Sequence, residues 1–205
     1  MAEIDMESVE TFNAFTTPIW ISHIKNFKKI KSGIIKQLNG VRERDPNGAK
    51  KSNYIGYQSE ENVNGIPELQ PVFTHIMESM VRKAILDLQM ETSQGNLDYA
   101  WVNYNDSLNA FNVPHVHDAV FSGIFYINAP EGSGDLILCN ESHNSLWMGD
   151  RLRNKQANSR SYVPYFGLKP KEGMCVIWGA YLQHYVNPNF KQVERISVSF
   201  NITVR

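Results

Sequence analysis

The chain has 205 residues, 42% of them hydrophobic and 20% charged, a balance that suits one globular domain with a full core and excludes a disordered segment. Lys plus Arg number 20 against 21 for Asp plus Glu, so no basic excess indicates nucleic acid as a partner, and no apolar run is long enough to span a bilayer. Cys139 and Cys175 are too few for a disulfide framework, and the acidic start MAEIDMESVETF does not read as a secretory signal, so the expected compartment is the cytoplasm with reduced thiols.

Along the chain, Thr17–Ile24 (TPIWISHI) reads as a short strand after a proline. Lys25–Arg42 mixes lysines with Ile30, Ile34, Ile35 and Leu38, the pattern of an amphipathic helix, and RDPNGAKKSN is a loop by composition. From Pro67 to Leu88, apolar residues recur in steps of three and four, which predicts a long helix with one buried face and Pro67 in its first turn. From about Leu97 the period changes to two. Predicted strands are Tyr99–Asn105, Asn112–His117, Phe121–Asn128, Asp135–Cys139, Met174–Trp178 and Arg195–Val204. A helical front followed by short strands suggests a mainly β (α+β) fold in which N-terminal helices cover one face of a β-sandwich or jelly roll. The expected organisation is a single domain, with residues 1–98 as strand and helices, 99–205 as the β core, and 141–173 as a long, lid-like insertion.

The chemistry is expected from a few side chains. His115 and His117 stand two apart in PHVHDAVFSG, and on a strand both would face one side. His184, far downstream in WGAYLQHYVNPN, could complete a three-sided metal face with open positions, which catalysis needs. A solvated or hydrogen-bonded histidine pair is the competing reading. The last strand alternates Arg195, Ser197, Ser199 and Asn201 with Ile196, Val198, Phe200 and Ile202. Packed against helices by its apolar face, it would turn Arg195 and Ser197 into the barrel, where a guanidinium and a hydroxyl suit a carboxylate. The short separation of His184 and Arg195 suggests adjacent strands, with a keto dicarboxylate bridging metal and clamp.

The segments HVHDAVFSGIFYINAPEGSGDLIL and GMCVIWGAYLQHYVNPNFKQVERISVSFN resemble the Fe(II)- and 2-oxoglutarate-dependent oxygenases, in particular a branch frequent among marine bacteria and their phages. WVNYND and SNYIGYQS resemble the same branch. The resemblance implies a double-stranded β-helix (cupin-like) core, Fe(II) as cofactor, and 2-oxoglutarate and O2 as cosubstrates. It implies decarboxylation to succinate and CO2 coupled to hydroxylation of a small-molecule or peptidyl substrate. It would place 2-oxoglutarate on Arg195 and Ser197, with Tyr126 and Asn103 beside it, and a substrate lid carrying Trp147, Arg151 and Tyr162. If the chain is viral, the compartment becomes the host cytoplasm. The superfamily's carboxylate at the second ligand position is replaced by His117. Three ligand sets follow: His115, His117 and His184; a set in which Asp118 supplies the carboxylate through a bulge; or His117 paired with Ala119 two residues on, which leaves an open position as in the resembling halogenases. Strand geometry delivers the first without strain. Halogenation, another oxidative outcome, or a non-catalytic jelly-roll protein of a virion are the alternative functions.

Overall fold

The computed structural model describes residues 16–92, 94–139 and 165–205. Two antiparallel sheets form the body. The strands are β1 (Ile19–His23), β2 (Asn53–Tyr54), β3 (Tyr57–Gln58), β4 (Gly95–Asn105), β5 (Phe111–His115), β6 (Phe121–Asn128), β7 (Leu136–Cys139), β8 (Tyr165–Leu168), β9 (Met174–Gly179), β10 (His184–Val186) and β11 (Arg195–Val204). The larger sheet runs β1-β9-β6-β11-β4-β3 and the smaller β2-β5-β10-β7-β8. The mainly β jelly roll with helices outside is therefore the architecture found.

The helices cover the outer face of the larger sheet. A 3-10 turn at Phe27–Lys29 leads into α1 (Lys31–Arg44), which buries Ile34, Leu38 and Val41. The stretch expected as one helix from Pro67 is one helical run of mixed winding: a 3-10 turn at Pro67–Leu69, α2 (Gln70–His75), a π-helical segment at Ile76–Val81, and α3 (Arg82–Asp87). Its buried residues Val72, Phe73, Ile76, Val81 and Ala84 share one core with Val198, Phe200 and Ile202 of β11 and with Phe121 and Phe125 of β6. Phe73 meets Phe200 edge-on at 6.4 Å between ring centroids. At Gly123 in β6, a Cβ would lie 2.4 Å from the Phe200 ring, so this position admits no side chain and the ring fills the space. None of the described helices is long and apolar enough to cross a membrane.

A second core lies between the sheets, with Ile124, Leu136, Leu138, Val176, Trp178, Leu182 and Val186. The alternation of β11 sorts its residues between the two layers. Ile196, Val198, Phe200 and Ile202 point to the helices, and Arg195 and Ser197 are buried on the opposite, inner face. β11 lies inside the larger sheet, paired with β4 along one side and β6 along the other.

Two strand expectations are corrected. The strand read as Asn112–His117 ends at His115, because His184 opposite it begins the short β10; His117 instead donates its backbone N–H to the Ala180 carbonyl at 3.1 Å. His184 and Arg195 do not sit on adjacent strands. β10 belongs to the smaller sheet and β11 to the larger, so the connection between them crosses from sheet to sheet. The lid residues Trp147, Arg151 and Tyr162 lie outside the described residues.

Candidate active site

The three histidines arrive from different directions. His115 closes β5, His117 follows two residues later, and His184 opens β10, paired with His115 on one side and Leu138 on the other. One ring nitrogen from each lies within 4.8 Å of the others, and the two Nε2 atoms of His117 and His184 are 3.3 Å apart. Two nitrogens bound to one metal at about 2.0–2.1 Å stand roughly 2.9–3.4 Å apart for angles between octahedral and tetrahedral, so the His117–His184 pair is spaced for a shared ion.

Proton placement also suits a metal. His115 Nδ1 lies 2.6 Å from the Val113 carbonyl and His184 Nδ1 lies 3.0 Å from the Leu182 carbonyl. A carbonyl only accepts, so each Nδ1 carries the proton and each Nε2 keeps its lone pair for a ligand bond. Burial, followed by the neighbouring His115, lowers the pKa of His184 to about 3. Burial and then His115 lower that of His117 to about 4. Burial lowers His115 as well, against the opposing bond to Val113. All three are neutral bases at neutral pH, the form that binds metal. Asp118 is solvent-exposed and lies outside this cluster.

Arg195 supplies the second part of the site. It is 1% exposed, and its Nε and Nη1 have no hydrogen-bond partner. On the same inner face, Ser197 Oγ, Asn103 Oδ1 and Tyr126 Oη are also buried without partners, as is Trp178 Nε1 at the histidine end, where its ring meets that of His184. No ion pair among the described residues involves Arg195. Its guanidinium lies 5.3 Å from the centroid of the Tyr126 ring. Burial lowers the Arg195 pKa and raises that of Tyr126, each partly opposed by the other. Native proteins leave few buried polar groups unpaired, so orphans collected round one cation mark the seat of an anion. Arg195, Ser197, Asn103 and Trp178 line the same inner cavity as His115, His117 and His184. Tyr126 stands behind Arg195, against the guanidinium.

An outer cavity of about 360 Å³ opens beside His115 and His117. It is walled by Tyr99 and Trp101 of β4, Gln58 of β3, Asn201 of β11, and Lys51, Ser52, Val113 and Val116. The register Ser197↔Asn103, Ser199↔Trp101, Asn201↔Tyr99 runs the paired inner faces of β11 and β4 from the clamp outward to this cavity. The sequence assigns no role to Ser199, Asn201, Tyr99 or Ser52, and gives Gln58 only a place in the resembling segment SNYIGYQS. The alternation of β11 carried the signal for Ser199 and Asn201, which share the face of Arg195.

With this geometry in view, the sequence comparison is decisive: residues 99–201 match the family model described as "Putative 2OG-Fe(II) oxygenase". The chain belongs to the 2OG-Fe(II) oxygenase family. Its fold resembles a Pseudomonas putida prolyl-4-hydroxylase (14% identity, 93% of each chain covered, TM-score 0.60). It also resembles the viral collagen prolyl hydroxylase of Paramecium Bursaria Chlorella virus-1 (15% identity, 89% of this chain and 94% of that one, TM-score 0.54). The epimerase SnoN of nogalamycin biosynthesis is similar over 91% of this chain and 76% of its own (12% identity, TM-score 0.62). No curated protein sequence matches the chain. As a 2OG-Fe(II) oxygenase it uses Fe(II), 2-oxoglutarate and O2. The residues present fit them: three converging neutral imidazoles could hold the metal, and a buried cation beside the unpaired hydroxyls of Ser197 and Tyr126 could hold a carboxylate.

Proposed function

We propose that the protein is a hydroxylase of this family, with His115, His117 and His184 as iron ligands and Arg195 and Ser197 as the clamp for the far carboxylate of 2-oxoglutarate. The observation that carries the reading is the shared cavity, lined both by the three converging imidazoles and by a buried guanidinium whose Nε and Nη1 are unpaired. Fe(II), when bound, supplies the coupling of 2-oxoglutarate decarboxylation to oxidation of substrate. The chain's own residues bind, orient and exclude water. Asn103 is held by donating its Nδ2 to Ser199 Oγ at 3.0 Å and presents its carboxamide beside the clamp. Tyr126 places an aromatic face and a buried hydroxyl against the guanidinium.

An all-imidazole set has an electrostatic consequence. Fe(II) and Arg195 together bring three positive charges, and no ligand carboxylate offsets them. The dianion of 2-oxoglutarate supplies the compensation, so cosubstrate and metal bind cooperatively. The substrate is read as a small molecule or a peptidyl side chain and the compartment as the cytoplasm, in keeping with a cysteine count too low for a disulfide framework. The test is Fe(II)-dependent formation of succinate from 2-oxoglutarate by purified protein. Succinate that requires Fe(II) and the intact His184 supports the assignment; none under any metal condition, with 2-oxoglutarate failing to bind, overturns it.

A further inference from the structure

The outer cavity has a composition of its own. Among the described residues lining it there is no carboxylate. A substrate ammonium group would find no counter-charge there, which disfavours amino acids and amines. One wall is aromatic: Tyr99 and Trp101 lie 6.0 Å apart at 32°, and Trp101 continues to His117 at 5.5 Å. The facing rim carries Val113 and Val116, both substantially exposed. A slot between aromatic faces and branched aliphatics selects a flat ring.

Polar groups at the edges of the slot offer both hydrogen-bond senses. Gln58 is 5% exposed and its Oε1 has no partner, so an acceptor stands ready for an N–H. Asn201 accepts a hydrogen bond from Ser122 Oγ at 3.0 Å through Oδ1, which leaves its Nδ2 to donate to a carbonyl. Ser52 Oγ accepts from Asn112 Nδ2 at 3.1 Å and keeps its own proton to donate. Lys51 stands exposed at the mouth, without an ion pair among the described residues. Carboxamides reading N–H and C=O groups on the edge of a stacked ring is the chemistry by which proteins recognise bases.

We infer that this cavity is the substrate subsite and that it takes a flat, uncharged ring with an amide or imide edge carried on an anionic group, the chemistry of a nucleoside monophosphate. The inference rests on the proposed Fe(II)/2-oxoglutarate reading of the adjoining site. A free nucleotide is favoured over a nucleic-acid strand, because the chain has a net charge of −1 and no basic excess to follow a phosphate backbone.

Calorimetry on protein loaded anaerobically with Fe(II) and 2-oxoglutarate tests this, with dTMP, thymidine, a dT12 oligonucleotide and L-proline as probes. The expected result is binding of dTMP, binding of thymidine about fivefold weaker, and none of L-proline. Lys51→Ala should erase the difference between dTMP and thymidine. Trp101→Leu should weaken both by about tenfold or more, and Trp101→Phe should restore most of that loss, which separates stacking from misfolding. A dT12 affinity no greater than that of dTMP supports the free nucleotide; a tighter dT12 overturns it. L-proline binding as tightly as dTMP, or no dTMP heat while 2-oxoglutarate binds normally, overturns the inference and leaves the parent reading standing. Failure of 2-oxoglutarate itself to bind folded, Fe(II)-loaded protein overturns both.

Discussion

Replacing Arg195 by methionine should separate cosubstrate binding from stability in opposite directions. In the unliganded protein this guanidinium is 1% exposed with Nε and Nη1 unpaired, a desolvated charge without a hydrogen-bonded counter-ion. Exchanging such a charge for an apolar side chain of similar length is commonly neutral or stabilising by about 1–4 kcal/mol. In a domain of this size each kcal/mol moves the melting temperature by about 2–4 °C, so metal-loaded Arg195→Met should melt at or above the wild type when 2-oxoglutarate is absent. With 2-oxoglutarate the order reverses. Truncating one partner of a buried charged pair costs about 2–5 kcal/mol, or roughly 30- to 4000-fold in affinity. At a concentration one hundred times its Kd, the cosubstrate stabilises the wild type by about 2.7 kcal/mol, a shift of about 5–11 °C. The same concentration stabilises the variant by less than about 0.9 kcal/mol, a shift of no more than about 4 °C. Anaerobic thermal unfolding with Fe(II), with and without 2-oxoglutarate, measures both. A full cosubstrate shift in Arg195→Met would refute the clamp, and a large loss of stability without cosubstrate would refute the claim that the charge is uncompensated.

Three further outcomes follow from the site. His184→Ala should release Fe(II) and abolish succinate formation while leaving the fold, checked by metal analysis of the purified variant and by circular dichroism; retained stoichiometric iron would remove His184 from the ligand set. Asp118→Asn should keep its iron, since the exposed Asp118 stands outside the cluster; an equilibrium dialysis showing iron loss would favour the carboxylate reading. The metal-free protein should lose stability as pH falls from 6.5, because the unfolded chain binds protons that His117 and His184 refuse until about pH 4 and about pH 3. Each imidazole contributes at most about 1.4 kcal/mol per pH unit in that window, and the contribution is fully present above it. Urea midpoints at pH 7, 5.5 and 4.5, with His184→Gln showing the shallower profile, check the sign; identical profiles would contradict it.

Much of the site was legible because its signals are local. The alternation of β11 by itself assigns Arg195 and Ser197 to the inner face, and the spacing of His115 and His117 points to a shared target. What escaped was set by pairing between distant segments. β10 is three residues long, and β2 and β3 two each, too short for any period to register. Gln58 sits on one of these, placed opposite Asn103 by a partner more than forty positions away. His184 and Arg195 were read as neighbours because they are near in sequence, whereas successive strands of a jelly roll change sheets and bring them together face to face across the cavity. The π-helical segment at Ile76–Val81 was equally invisible, since its apolar spacing still satisfies an α-helical pattern.

Three imidazoles and one guanidinium should serve a single metal–cosubstrate pair. Anaerobic crystals soaked with Fe(II) and 2-oxoglutarate, read by anomalous scattering at the iron edge, test it most directly. The expected density is one iron touching the Nε2 atoms of His115, His117 and His184, with a carboxylate of 2-oxoglutarate paired to Arg195 and Ser197. Iron bound through Asp118, or a cosubstrate seated away from Arg195, would contradict it.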